Sequence, residues 1–390
     1  MTRNAMDRLA AARPAELDPE PDARRRERDI LDAISQPSRP RHPHKRTRTV
    51  RRVTLGLAAT ATVAVAAAAV VTNGGGGGTG GPERTLDART VLLAAADHAD
   101  REPAASGMYW HLVRLDTHYQ RARSGKATYK VAMSRRTETW TPITPGKEQW
   151  VRTQELGAVS ATPADWAAWQ RAGAPDRVQV QSPTLILTSP RTVSTRPGKV
   201  STSHQRYEPR YWIGRDVTTK QLRALPETPR GLRSWLMRFY AKNRNGLGAV
   251  RRPLHADEYL FQVGKVLVTE APVTAKVRAA TFRMLAALGS VKALGERTDS
   301  QGRTGVALEL QSFFFSSSGP DSGDDRRSGD DLSGLTSGQE LIIDPDTGRA
   351  LADETIVKAE GRAKDFPAGS RLASSVFIEQ GWSNTSPAAR

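Results

Sequence analysis

The chain has 390 residues, 38% of them hydrophobic, which is enough for a buried core in one large or two smaller domains. It carries 58 Lys and Arg against 41 Asp and Glu, a formal net charge of +17, and such a balance suits nucleic acid, anionic lipid or an anionic wall polymer. The sequence has no cysteine, which excludes disulfides, thiol chemistry, cysteine-linked lipid anchors and cysteine-type zinc sites.

Residues 1–52 form a basic segment with 14 Lys and Arg against 8 Asp and Glu. Within it, residues 20–35, EPDARRRERDILDAIS, predict a short helix that opens at Pro21 and Asp22 and carries a small apolar patch. The helix cannot bury much surface alone. It is either part of a solvated tail or a docking helix that orders on a cytosolic partner.

Residues 53–72 contain no charge, and 20 helical residues at about 1.5 Å each can cross about 30 Å of hydrocarbon. Basic residues cluster before this run and not after it, which by the positive-inside rule places the N-terminus in the cytoplasm and the C-terminal domain outside. We therefore predict a retained transmembrane helix. A cleaved secretory signal is the alternative, because Ala64-Val65-Ala66 fits a small-x-small cleavage pattern.

Residues 73–82 are almost pure glycine and predict a flexible linker. Ten such residues have a mean reach of roughly 16–19 Å. The domain that follows, residues 83–390, is therefore expected to stay near the membrane surface.

The first half of residues 83–390 predicts a helix followed by strands. Residues 85–99 have apolar side chains at helical spacing. Alternating runs at 108–115, 128–141 and around 148–152 predict neighbouring antiparallel strands. A short helix over 164–172 carries Trp166 and Trp169, which we expect to pack onto the sheet.

The pattern then changes to helices with readable ends. Thr218 and Gln221 predict a capping box, and Thr228-Pro229 predicts an N-cap followed by proline in the first turn. Further apolar helices are predicted over 255–268 and 274–288. These helices are expected to form one packed cluster.

Strand patterns return over 306–315, 340–343, 351–357 and 374–380. Asp344-Pro-Asp-Thr-Gly348 predicts the turn of a hairpin. The polar stretch 316–338 is predicted to be a disordered loop. The order of helix, strands, helices and strands predicts an α+β domain with an antiparallel sheet, flat or curved, beside a helical cluster.

Motifs for catalysis, cofactors and metals are missing from the sequence. It contains no HExxH, GxSxG, Walker A or strand-linked GxGxxG pattern. Asp344 and Asp346 are explained by the turn. The histidines have no metal-ligand spacing; they are His42, His44, His98, His111, His118, His204 and His255. We predict a protein that is not an enzyme and has no cofactor or metal.

One stretch mixes basic and aromatic residues in a way that suits anions. The candidate anion-binding patch consists of Arg206, Arg210, Tyr211, Trp212 and Arg215. Outside the cell, nucleic acid is not an expected partner, and phosphate-bearing lipid headgroups or wall polymers fit better. The alternative is an exposed pair of strands with solvated arginines.

Three motifs carry a family resemblance: VKALGERTDSQGRTGVALEL, ELIIDPDTGRALADE and the terminal VFIEQGW. With the charged N-terminal segment and the single Ala/Val-rich span, they resemble an uncharacterised actinobacterial family of single-pass membrane proteins. Members are commonly encoded beside extracytoplasmic-function sigma factors, which implies an anti-sigma-like or accessory role. The motifs are strands and hairpins, so the resemblance implies no site residue.

Two functional hypotheses follow. The favoured one is a non-enzymatic protein of envelope sensing or signalling, in which residues 1–52 contact a sigma factor or another cytosolic regulator. The alternative is a membrane-tethered binding module for anionic lipid or cell-wall polymer.

Overall fold

The computed structural model describes residues 87–103, 107–144, 146–181, 191–206, 210–244, 253–316, 336–360 and 365–387. All of them belong to one compact unit, Thr79–Arg390. The predicted cytoplasmic segment 1–52, transmembrane helix 53–72 and linker 73–82 lie outside the described residues. Within the described ranges, no helix combines the length and the apolar character needed to span a bilayer.

Thirteen strands are seen in the described residues, and eleven of them form one antiparallel sheet. The strands are β1 (Tyr109–Ser124), β2 (Ala127–Pro142), β3 (Gln149–Ser160), β4 (Arg177–Gln181), β5 (Arg191–Ser194), β6 (Ser201–Gln205), β7 (Arg210–Trp212), β8 (Asp216–Thr218), β9 (Val291–Thr298), β10 (Thr304–Ser316), β11 (Thr336–Ile343), β12 (Ala350–Ala359) and β13 (Arg371–Ser383). The spatial order is β6-β3-β2-β1-β13-β12-β11-β10-β9. The last strand therefore pairs with the first and joins the two halves of the sheet.

The remaining strands are short additions to this sheet. β4 pairs with the far end of β1 and carries β5, while β7 and β8 form a separate two-stranded ribbon. Several ladders contain β-bulges, including one between Val113 and Arg114 of β1. Bulges bend strands and increase their twist.

Seven helices lie in the described residues, namely α1 (Ala88–Arg101), α2 (Pro163–Arg171), α3 (Thr219–Arg223), α4 (Pro229–Met237), α5 (Tyr240–Asn243), α6 (Ala256–Thr269) and α7 (Ala275–Ala286). Threonine begins four of them: the hydroxyls of Thr162, Thr218, Thr228 and Thr274 each accept a backbone N–H three residues on. These caps satisfy donors that have no partner inside a helix.

The main core lies between the helices and the C-terminal half of the sheet. Leu92 of α1, Leu236 of α4 and Phe282 of α7 are fully buried and pack in one cluster with Leu308 of β10 and Leu341 of β11. Full burial of each such side chain contributes about 1.5–3 kcal/mol. The α2 helix packs on a smaller cluster at the far end of β1 and β2, with Trp169 against it.

The predicted α+β class, with an antiparallel sheet and a helical cluster, is confirmed. The capping box at Thr218 and the hairpin turn at Asp344 are present, and Gly348 has the positive φ of 68° that such a turn requires. The strands β4, β5, β6 and β9 were not predicted from residue alternation, whereas the alternative interpretation of the candidate patch, an exposed pair of strands, corresponds to the β7–β8 ribbon. The edges of the predicted loop 316–338 lie in strands, since β10 ends at Ser316 and β11 begins at Thr336, and residues 317–335 lie outside the described residues.

Candidate functional site

A polar cleft of about 230 Å³ lies on the face of the sheet that also carries the helices. Its floor is formed by the paired strands β1 and β2, in which Trp110 faces Thr141 and Arg114 faces Thr137. Its other walls come from β3, from the β7 strand and from Glu270, the residue after α6. The lining residues are Trp110, Leu112, Arg114, Thr137, Thr139, Thr141, Gln149, Arg210, Tyr211 and Glu270.

Hydroxyl and amide groups dominate one wall of the cleft. Thr137, Thr139 and Thr141 project from the same face of β2 because side chains alternate along a strand. The Gln149 side-chain nitrogen donates to the Thr141 hydroxyl at 3.2 Å, while Gln149 Oε1 is buried and has no hydrogen-bond partner among the described residues. A buried acceptor of this kind costs free energy unless a donor reaches it. The wall is therefore suited to a ligand with N–H or O–H groups.

A charged bridge joins the sheet to the helical cluster above the cleft. Arg114 Nη1 donates to Glu270 Oε1 and Arg114 Nε donates to Asp116 Oδ2, both at 2.9 Å. Trp110 Nε1 also donates to the Glu270 carbonyl at 2.9 Å. Burial lowers the pKa of Arg114, but Glu270 and Asp116 outweigh this effect and raise the pKa above its ordinary value. The guanidinium thus holds both carboxylates in place.

The residues of the predicted anion-binding patch lie in three separate places. Arg210 and Tyr211 line the cleft. Arg206 lies at the edge of the sheet, 3.5 Å from Glu148. Arg215 lies over the ring of Phe239 at 5.4 Å, and Trp212 is 40% exposed. Thus only two of the five residues contribute to the cleft.

The opposite face of the sheet holds a charge cluster around His111. Its Nε2 lies 3.0 Å from Glu138 and its Nδ1 lies 3.2 Å from Glu379, while the ring stacks on Trp140 at 4.8 Å. Burial raises the pKa of Glu138, but hydrogen bonds from His111 and Arg136 outweigh it and leave the pKa below its ordinary value. The cluster cross-links β13, β1 and β2.

A larger cavity, about 420 Å³, lies beside β9, β11 and β12. Its charged groups are already paired: Lys358 contacts Glu340 at 2.6 Å and Arg371 contacts Glu354 at 2.8 Å. Burial raises the pKa of Glu354, although Arg371 opposes this shift. Since the charges satisfy one another, this cavity offers fewer free groups than the cleft.

The described part of the chain contains no group of three His, Asp or Glu placed to hold a metal ion. Sequence reasoning missed most cleft residues because Trp110, Thr139 and Gln149 meet only through strand pairing. The alternation of threonines at 137, 139 and 141 was the one available indication. His42 and His44 lie outside the described residues.

The fold defines an α+β domain in which a single large antiparallel sheet carries a helical cluster. No protein-family profile matches the sequence, and no curated protein matches it. Among solved structures, the chain is similar to one described as MucB in complex with MucA(peri), with 12% identity and a TM-score of 0.20 over 76% of this chain. The chain spans about 57% of the length of that structure. At this TM-score the likeness carries no argument about fold or function.

Proposed function

We propose that this protein is a non-enzymatic regulator of the cell envelope. The α+β domain binds a ligand in the polar cleft, and the basic segment 1–52 engages a sigma factor or another cytosolic regulator. The observation that carries the proposal is the cleft itself, because the Arg114–Glu270 bridge lines it together with the threonines of β2 and Gln149. A ligand that disturbs this bridge changes the contact between sheet and helices.

The arrangement of charges supports binding rather than bond-making. Asp116 and Glu270, the carboxylates nearest the cleft, are both paired with Arg114. A carboxylate whose oxygens are engaged by a guanidinium is less available for proton transfer with a ligand. The polar wall and the cation at Arg210 instead offer recognition of a small polar ligand.

The regulatory part of the proposal is supported by the family resemblance. Its three motifs occupy the β9–β10 hairpin, the β11–β12 hairpin and β13. These strands are neighbours and form one continuous half of the sheet. The three motifs of the resemblance therefore lie in a single structural unit, on which the helical cluster packs.

The direct test is capture of the cytosolic partner. The tagged full chain and the same chain without residues 1–52 are cross-linked in their native cells and purified. We expect a sigma factor with the full chain and none with the shortened chain. Recovery of no sigma factor or other transcriptional regulator, or equal recovery with both chains, would overturn the regulatory proposal.

A further inference from the structure

Positive charge is concentrated on the ribbon and on helices α3 to α5. Residues 210–244 contain nine Lys and Arg against two acidic residues, a net +7, whereas the whole of residues 83–390 has a net charge of +11. All nine cations are exposed: they are Arg210, Arg215, Lys220, Arg223, Arg230, Arg233, Arg238, Lys242 and Arg244. We call these nine residues the basic surface.

The cations of the basic surface have no carboxylate partner among the residues that the structure describes. In the described ranges, none of them lies within ion-pair distance of a carboxylate. Of the two acids in this stretch, Glu227 lies 3.7 Å from Lys276, which is outside it. By contrast, Arg114, Arg283 and Arg371 elsewhere in the domain are each paired. The charge of the basic surface is therefore not neutralised within the described part of the domain.

Helix geometry directs these charges outward. In α4, Leu232 and Leu236 are fully buried, while Arg230 and Arg233, three residues apart, are exposed. In α3, Leu222 is buried in the same core. The apolar sides of α3 and α4 thus pack on the core, and the opposite sides of these helices expose cations to solvent.

Aromatic rings lie among these cations. Trp212 is 40% exposed. The rings of Trp235 and Phe239 meet edge to face at 5.0 Å, with Arg238 5.5 Å from the first and Arg215 5.4 Å from the second. Tryptophan together with arginine is typical of protein surfaces at the headgroup level of a bilayer, where one end of the side chain is apolar and the other polar.

We propose that the basic surface docks on a membrane that carries anionic lipids. Exposed cations without a carboxylate partner in the described ranges suit a broad array of phosphates, and lysine or arginine near an anionic membrane gains favourable energy from its negative potential. The choice of a membrane over nucleic acid rests on the proposed function together with the predicted transmembrane helix 53–72 and linker 73–82, which would keep this domain beside the bilayer. The docking itself uses residues separate from segment 1–52.

The test uses the full chain in lipid nanodiscs of phosphatidylcholine alone or with 30% phosphatidylglycerol. Because the sequence has no cysteine, Ser234→Cys on α4 gives one labelling site for a fluorophore, and Ala164→Cys on α2 gives a control site. Energy transfer to a headgroup acceptor then reports how close each site lies to the bilayer. We expect transfer from position 234 to rise in the anionic discs, to fall again at high salt, and to exceed that from position 164.

Charge variants show which residues cause the docking. The first triple variant combines Arg230→Gln, Arg233→Gln and Arg238→Gln. It is expected to weaken docking by about tenfold or more, since three charges leave the surface. The control removes three exposed cations elsewhere, through Lys126→Gln, Arg171→Gln and Arg177→Gln, and should retain docking. Unchanged unfolding midpoints verify that both variants are folded.

Three results would overturn the proposal: equal transfer in neutral and anionic discs, equal losses in the two triple variants, or displacement from the discs by DNA or polyphosphate at matched charge. The last result would assign the basic surface to a soluble polyanion. If the full chain captures a sigma factor but its domain does not approach the anionic discs, the proposed function stands and only the docking proposal fails. The two tests can therefore fail separately.

Discussion

At the level of single residues, Glu138 and Tyr259 show that burial and pairing have opposite effects on stability as pH changes. Hydrogen bonds from His111 and Arg136 outweigh burial and hold the pKa of Glu138 below its ordinary value of 4.5. Burial raises the pKa of Tyr259 to about 12, and its hydroxyl donates to the Leu236 carbonyl at 3.1 Å. Glu138 therefore stabilises the folded state as an anion, and Tyr259 stabilises it as a neutral phenol.

The two groups therefore predict two pH windows. A lowered pKa means that Glu138 stabilises the fold above about pH 4.5 and loses this effect as pH falls through its folded pKa. A raised pKa means that Tyr259 stabilises the fold below about pH 10 and loses this effect as pH rises towards 12. In urea titrations, the stability gap between wild type and Glu138→Gln should close on acidification. The gap to Tyr259→Phe should close on alkalinisation, and gaps independent of pH would contradict these assignments.

The Arg114 bridge gives a second prediction for single residues. Arg114→Gln leaves Asp116 and Glu270 without their guanidinium, and we expect the free energy of unfolding to fall by about 1–3 kcal/mol. Thr137→Val, which faces Arg114 across the β1–β2 ladder, is the matched control and should change it by less. Equal effects of the two variants on denaturant midpoints would show that the Arg114 ion pairs contribute no more to stability than the Thr137 side chain opposite them does.

At the level of elements, the β7–β8 ribbon is fixed to the helical cluster at one glycine. Gly214 has a φ of +87°, and a Cβ there would lie 1.8 Å from the Tyr259 hydroxyl. The Gly214 carbonyl also accepts from the Asn243 side chain at 2.7 Å. The ribbon, which supplies Arg210 and Tyr211 to the cleft, is thus positioned by α5 and α6.

Gly214→Ala is therefore expected to lower stability by about 3 kcal/mol, from backbone strain together with overpacking. Gly302→Ala isolates the strain, because Gly302 has a φ of +78° and open space around it, and it should cost about 1–2 kcal/mol. Thermal or urea unfolding measures both. Equal losses would show that contact with Tyr259 contributes nothing.

The elements that the sequence predicted are those with strong local patterns. The helix at 85–99, the Thr218 capping box and the hairpin at Asp344 follow from periodicity, capping and turn chemistry, which act within a few residues. β6 was missed because it is fully exposed and has no apolar alternation, and β9 because half of its residues, VKALGERT, are polar or charged and its apolar residues do not alternate with them throughout. The cleft was missed for a different reason: Trp110, Gln149 and Glu270 come together only when distant strands and a helix pack.

At the level of the whole molecule, the cleft and the basic surface share one residue, Arg210. The predicted patch of five residues thus divides into Arg210 and Tyr211 at the cleft, Trp212 and Arg215 on the ribbon, and Arg206 at the sheet edge. The larger set of cations on α3 and α4 was not predicted, because exposure on a helix depends on which side packs inward. Docking of the basic surface would place the rim of the cleft close to the bilayer.

The proposed function joins ligand binding in the cleft to sigma-factor binding by residues 1–52, and we propose that filling the cleft alters that binding. The most direct measurement is the amount of sigma factor captured by the full chain when the cleft is filled by Thr139→Trp. Val159→Trp is the control, since Val159 is a β3 side chain that is 55% exposed. We predict that Thr139→Trp changes capture at least severalfold at an unchanged unfolding midpoint, while Val159→Trp captures as much as wild type. Equal capture by all three folded proteins would contradict the account.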